Sequence, residues 1–195
     1  MKDKIAIIVQ RFGSQINGGA EVHAKMIADK LKIKYDVTVL TSRAIDYHTW
    51  EPVLPEGESV EDEIKIIRFD HLRKENRKNA HRINRKLRGR LWYQKIYRWL
   101  GKPKWYKAIV PIVEFKDENG IKFLTAQGPA VLSLPDYLNT HKDDYAAFIF
   151  FTYLYYPTAV GMPVVAEKSI FIPTLHDEPP AYLPCFKTII PTPKW

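Results

Sequence analysis

The chain has 195 residues, of which 46% are hydrophobic, and this predicts one globular domain with a sizeable core. Its single cysteine, Cys185, excludes an internal disulfide framework and an all-cysteine metal site, and fits a reducing cytosol. We expect no signal sequence before the first strand-like run, and the longest apolar candidate, residues 145 to 156, is too short to span a bilayer.

The net charge of +8 is concentrated in one segment. Residues 68 to 107 contain 15 Lys or Arg and two acids, Asp70 and Glu75, so the rest of the chain is net negative. This distribution predicts a weakly acidic domain with a basic insertion.

The first 40 residues predict a βαβ unit. Ile5 to Val9 form an apolar run typical of a strand covered on both faces. After two glycines, apolar residues at helical spacing predict an amphipathic helix, namely Ala20, Ala24, Ile27, Ala28 and Leu31. Val37 to Leu40 follow as the next buried strand, which is the pattern of a parallel sheet.

The middle of the chain is less regular. We expect a loop over residues 42 to 63, a third strand from Ile64 to Phe69, and a helix around Trp92 to Leu100 in the basic segment. Residues 108 to 127 fit either a hairpin turning at Asn119-Gly120 or an irregular insertion.

The last third predicts a helix over residues 133 to 141, strands at Ala146 to Phe151 and Ser169 to Thr174, and a helix starting with Pro179 and Pro180. The fold class is therefore α/β: one Rossmann-like domain, residues 1–195, with a doubly wound, mainly parallel sheet and a basic helical insertion at about 70–127. Ligands of such sheets bind beyond the carboxyl ends of the strands.

Two adjacent glycines, Gly18 and Gly19, stand where the first strand leads into the first helix. Bare backbone amides at a helix N-terminus attract anions such as phosphate. The loop matches neither the dinucleotide fingerprint nor a P-loop. The alternative interpretation is a tight turn in which Asn17 caps the helix.

His176, Asp177 and Glu178 follow the last predicted strand. A histidine beside two acids at the carboxyl end of a strand suits catalysis or substrate contact. Adjacent residues on an extended segment point apart, so the three make a poor metal chelate. The alternative is a helix start capped by Asp177 beside an incidental histidine.

The basic segment allows three interpretations. Its candidate surface residues are Arg82, Arg85, Lys86, Arg88, Arg90, Trp92 and Trp99. They could contact an anionic membrane surface or bind nucleic-acid phosphates. They could also form a solvated face with Trp92 and Trp99 packed into the core. No nucleic-acid-binding motif accompanies the charge, so we expect no nucleic-acid partner.

Three stretches together resemble the N-terminal domain of retaining glycosyltransferases with the GT-B fold, family 4 type. They read "IAIIVQRFGSQINGGAEVHAKMIADKLKIKYDVTVLTSRAIDYHTW", "FIFFTYLYYPTAVGM" and "IFIPTLHDEPPAYLPCF". The resemblance covers nearly the whole chain outside residues 70 to 127.

The resemblance implies a metal-independent enzyme that moves a sugar from a nucleotide-diphosphate donor to a glycan or lipid-linked acceptor. Gly18, Gly19 and Glu21 would face the donor's phosphate side, and His176 would stand beside the transferred sugar as the catalytic residue. Thr152, Tyr153, Asp177 and Glu178 would line the acceptor cleft.

The chain departs from the family's pattern in one respect. The family's second domain carries two glutamates eight positions apart, and no glutamate here is followed by another at that spacing. We therefore expect the acceptor-side half of an enzyme, inactive without a C-terminal donor-binding domain. We expect no cofactor, and a cytoplasmic location that could include peripheral contact with the inner membrane face. The alternative is a non-catalytic module that binds anionic lipid or polysaccharide.

Overall fold

A computed structural model describes residues 2–72, 96, 99, 117–176, 179–182, 184–186 and 189–190. Its strands are β1 (Lys4–Ile8), β2 (Asp36–Ser42), β3 (Gly57–Glu61), β4 (Ile64–Phe69), β5 (Ala147–Phe151) and β6 (Ser169–Ile172). Its helices are α1 (Gly19–Leu31), α2 (Asp117–Gln127), α3 (Leu134–His141) and α4 (Tyr156–Gly161). Short 3₁₀ segments occupy Met162–Lys168, Pro179–Tyr182 and Pro184–Phe186.

The six strands form one sheet in the order β3-β4-β2-β1-β5-β6. All neighbouring pairs are parallel except β3 with β4. The chain moves outward from β1 through β2 to β4, then returns to the other side of β1 to form β5 and β6. The predicted Rossmann-like α/β fold is confirmed, and the direction of winding reverses between β1 and β5. Open parallel sheets bind ligands at such a switch point.

Both faces of the sheet are covered, as the continuous apolar strands predict. On one face Ala24 and Ala28 of α1 pack against β1 and β2, whose inward side chains are fully buried. On the other face Leu134 and Leu138 of α3 pack against Ala6, Ile8 and the aromatic residues of β5. The predicted helical stripe of α1 and the predicted strands β1, β2, β4, β5 and β6 are therefore confirmed, with ends that differ by one or two residues.

Two expectations for the middle of the chain are wrong. Residues 57 to 61, expected in a loop, form the antiparallel edge strand β3. Its lone apolar side chain, Val60, is 71% exposed, so the strand carries no burial pattern that a sequence could reveal. Residues 117 to 127 form helix α2 and no hairpin, because this segment buries Phe123 and Leu124 against Phe186 in a third apolar cluster.

The end of the described chain is a series of short turns. The expected helix at Pro179 is a 3₁₀ turn over Pro179–Tyr182. Of the basic helix, Ile96 and Trp99 are described and have helical backbone. No helix within the described ranges is both long and apolar enough to cross a bilayer.

Candidate functional site

A cleft of about 470 Å³ lies at the switch point of the sheet. This volume falls within the roughly 300–1,000 Å³ usual for small-molecule sites. Residues from the end of β1, the start of α1, the loop after β2 and the ends of β5 and β6 line it: Gln10, Arg11, Gly19, Ala20, Glu21, Tyr47, Thr152, Tyr155, Thr174 and His176. The cleft thus brings together Gly19, Glu21, Thr152 and His176, which the sequence had placed in one site.

The two glycines have different surroundings. A Cβ on Gly18 would overlap Oε2 of Glu21 and lie 2.9 Å from Nη2 of Arg11, whereas no described atom lies within 4 Å of a Cβ built on Gly19. Gly18 is not among the residues that line the cleft, and its missing side chain makes room for the protein's own carboxylate. Gly19 opens into the cleft.

The cap of α1 also differs from the alternative interpretation. The N-cap residue is Gly18, and none of the described side chains caps it. Asn17 instead borders a smaller depression of about 290 Å³ beside α1. The first amides of α1 therefore have no side-chain acceptor at this cap, and those of Gly19 and Ala20 belong to cleft-lining residues. Such amides carry the positive end of the helix dipole.

Glu21 is the centre of a buried polar cluster. Its Oε1 accepts hydrogen bonds from Nε and Nη2 of Arg11, at 2.8 and 2.5 Å, and from Nε2 of Gln10 at 3.1 Å. Glu21 is 5% exposed and Arg11 is 8% exposed. Because the carboxylate can only accept, the amide of Gln10 must turn its nitrogen toward Glu21. Its oxygen is then left without a hydrogen-bond partner among the described residues.

Arg11 also holds the loop that forms one wall of the cleft. Its Nη1 donates to the carbonyl oxygen of Ile45 at 2.7 Å, and its guanidinium lies 5.3 Å from the ring centre of Tyr47. The Tyr47 ring in turn packs against His48, with centroids 3.8 Å apart. The ion pair thus ties α1 to the loop after β2.

Two threonines with left-handed backbone form the opposite wall. Thr152, after β5, has a φ of 64°, and Thr174, after β6, has a φ of 46°. Oγ1 of Thr174 donates to Oγ1 of Thr152 at 3.2 Å. β-branched residues rarely adopt this conformation, and such strain is commonest at functional sites.

The remaining predicted residues divide into three groups. His176 is exposed and lines the cleft. Asp177 and Glu178 lie outside the described residues. Tyr153 does not line the cleft, which corrects the expectation: the left-handed turn at Thr152 sends its side chain into the third apolar cluster, where it is 1% exposed and packs against Phe186.

Sequence reasoning placed four of the ten lining residues in the site and missed the other six, namely Gln10, Arg11, Ala20, Tyr47, Tyr155 and Thr174. For Gln10 and Arg11 a signal was available. They are polar residues directly after a fully buried strand, where the carboxyl end of β1 must meet the switch point. How distant loops meet decides the positions of Tyr47, Tyr155 and Thr174.

The basic segment is described at two positions. Trp99 is 84% exposed and Ile96 is also exposed, so the alternative in which Trp99 packs into the core is wrong. The other predicted residues, Arg82, Arg85, Lys86, Arg88, Arg90 and Trp92, lie outside the described residues.

Comparison of the chain with models of known protein families, with curated proteins and with solved structures gives no match. Over the part of the chain that the structure describes, no three His, Cys, Asp or Glu side chains converge as a metal site would require.

Proposed function

We propose that this chain is the acceptor-side domain of a retaining glycosyltransferase. It would assist the transfer of a sugar from a nucleotide-diphosphate donor to a glycan or lipid-linked acceptor, with most of the donor held by a second domain. One observation carries the proposal: Gly19, Glu21, Thr152 and His176, from three separate family-like stretches, line one cleft at the switch point of the sheet.

The chemistry of the cleft suits a departing diphosphate on one wall. Sugar transfer leaves negative charge on the diphosphate, and preorganised donors that meet developing charge lower the barrier. The amides of Gly19 and Ala20 at the start of α1 are such donors. The missing side chain at Gly19 lets an anion approach the backbone closely.

The opposite wall suits the hydroxyl groups of a sugar. The exposed imidazole of His176 can donate or accept a hydrogen bond there. The hydroxyl of Thr174, which donates to Thr152, can still accept one, and the hydroxyl of Thr152 can donate one. In the proposed reaction His176 bonds a hydroxyl of the transferred sugar and orders the reacting centre. The proposal assigns no metal to the reaction.

The test is replacement of His176 by Ala in the chain joined to its donor-binding domain. We expect turnover of a labelled nucleotide-sugar to fall on the order of 100-fold with an unchanged melting temperature, because an exposed cleft residue contributes little to the core. The matched control is His23→Ala, which removes another exposed histidine that does not line the cleft. Equal activity of His176→Ala and the wild-type chain contradicts the assignment.

A second candidate function is the binding of an anionic lipid surface by the basic segment. The high exposure of Trp99 favours it, because an exposed tryptophan within a strongly basic segment matches helices that lie in the membrane interface. Co-sedimentation with vesicles tests it. Binding should be stronger to anionic than to neutral vesicles and weaker for Trp99→Ala; equal binding to both kinds of vesicle removes the electrostatic argument.

A further inference from the structure

The proposed diphosphate position has an electrostatic problem. Glu21 lies in the first turn of α1, and its carboxylate occupies the space beside Gly18, the residue that precedes Gly19 in the chain. At 5% exposure it is poorly screened by water. A lone carboxylate there would repel a second anion in the same cleft, since like charges in a medium of low dielectric interact strongly.

Arg11 lies where its positive charge can cancel that repulsion. Both Nε and Nη2 bond to Oε1 of Glu21, and Nη1 bonds to the carbonyl oxygen of Ile45. Each guanidinium nitrogen therefore has a partner within the chain. This arrangement suits cancellation of a charge better than direct contact with a ligand.

We infer that Arg11 is a positioning residue that neutralises Glu21 and so allows a diphosphate to bind at the amides of Gly19 and Ala20. The inference rests on the proposed function, because it deepens the role of the same cleft. Glu21 in turn fixes Arg11, which holds the loop that carries Tyr47. The pair therefore shapes the wall of the cleft while presenting no net charge to the ligand.

The inference predicts that affinity for an anion follows the net charge of the pair, and not the presence of either residue. The probe is inorganic pyrophosphate, titrated calorimetrically into the wild-type chain, Arg11→Met, Glu21→Gln and the double variant. Affinity should be highest for Glu21→Gln, lowest for Arg11→Met, and similar for the wild-type chain and the double variant. Each unit of charge should change the dissociation constant on the order of tenfold.

The double variant keeps the test decisive if Arg11→Met alone fails to fold. Removing one member of a buried ion pair leaves an unpaired charge, whereas removing both members leaves none. A double variant that folds but binds pyrophosphate far more weakly than the wild-type chain would assign Arg11 a direct contact and overturn the inference. A double variant that binds more weakly than Glu21→Gln by far more than tenfold would equally overturn the inference.

Matched controls come from an ion pair at the far edge of the sheet. Nζ of Lys65 on β4 lies 2.8 Å from Oε1 of Glu58 on β3, and both side chains are partly exposed. Lys65→Met and Glu58→Gln make the same changes in total charge, and each should change pyrophosphate affinity less than twofold, because water and salt screen exposed charges. A control effect as large as that of the Arg11 and Glu21 variants would show general attraction and overturn the inference.

The outcomes separate this inference from the proposed function. If the wild-type chain binds no pyrophosphate, no anion binds whose repulsion by Glu21 would have to be cancelled. The inference then fails, whatever the result of the His176→Ala assay. If the charge order holds while His176→Ala retains full turnover, the inference stands and the assignment of His176 in sugar transfer fails.

Discussion

Thr174 donates a hydrogen bond to Thr152 across 3.2 Å, and both residues have left-handed backbone. The contact joins the ends of β5 and β6 at one wall of the cleft. An L-residue in this conformation costs roughly 1–2 kcal/mol relative to ordinary backbone. The surrounding structure must therefore hold the two threonines in place, and the strain is found where the proposed sugar would bind.

The first prediction isolates this strain at Thr174. Thr174→Gly and Thr174→Ala both remove the hydroxyl, but glycine alone also relieves the left-handed backbone. We expect the glycine variant to have a higher free energy of unfolding than the alanine variant by about 1 kcal/mol, measured by urea denaturation. Because both variants lack the hydroxyl, both should bind the proposed sugar more weakly than the wild-type chain does. Equal stability of the two variants would mean that Thr174 is not strained.

A second prediction concerns the unequal glycines. Gly18→Ala should lower the free energy of unfolding by about 1–3 kcal/mol, because the new methyl overlaps the Glu21 carboxylate. Gly19→Ala should leave stability unchanged or raise it slightly, because its methyl enters open space. Thermal melts measure the difference. Because the new methyl enters the cleft, Gly19→Ala should nevertheless bind pyrophosphate more weakly than the wild-type chain does. A Gly19→Ala variant less stable than Gly18→Ala would contradict this account of the loop.

The third prediction is a pH dependence at Asp46. Hydrogen bonds from the amide of His48 and from Thr49 hold the pKa of Asp46 below its ordinary value of 3.8. Its ionised form is therefore favoured by folding. The stability it contributes is fully present above the ordinary pKa and is lost as pH falls through the lowered one.

Asp46→Asn should accordingly be less stable than the wild-type chain at neutral pH, and the difference should vanish in acid. Denaturant titrations at a series of pH values measure it. The control is Asp143→Asn, which alters a carboxylate that is 87% exposed. A stability difference between Asp46→Asn and the wild-type chain that does not change with pH would indicate that the three hydrogen bonds to Asp46 do not depend on its charge.

The fourth prediction concerns Cys185. Burial raises the pKa of its thiol to about 11. At pH 8 only about one thiol in a thousand is then the reactive thiolate. Iodoacetamide should label the folded chain far more slowly than the chain in denaturant, and the rate should rise about tenfold per pH unit above pH 8 until the thiol ionises. Rapid labelling of the folded chain at pH 8 would show that the thiol is accessible and ionised.

Gly120 shows why the hairpin expected within residues 108 to 127 does not form. The pair Asn119-Gly120 is a common hairpin turn, and nothing adjacent in the sequence argues against it. In the structure a Cβ on Gly120 would lie 2.7 Å from Cβ of Cys185, so the glycine permits α2 to approach a distant turn. Glycine at this position therefore permits close packing between two elements that are far apart in the sequence, and it does not form a turn.

The sequence by itself determined the Rossmann-like core of this protein: the buried strands, the amphipathic α1, and the approach of Gly19 and His176 to the carboxyl edge of the sheet. These features follow from local periodicity, because burial of one or both faces leaves a repeat of two or 3.6 residues. Only the tertiary structure decided that Glu21 fills the space beside Gly18, that Tyr153 turns away from the cleft, and that Arg11 joins α1 to the loop after β2. Each of these depends on which distant group occupies a given space, and the local periodicity of the sequence gives no information about that group.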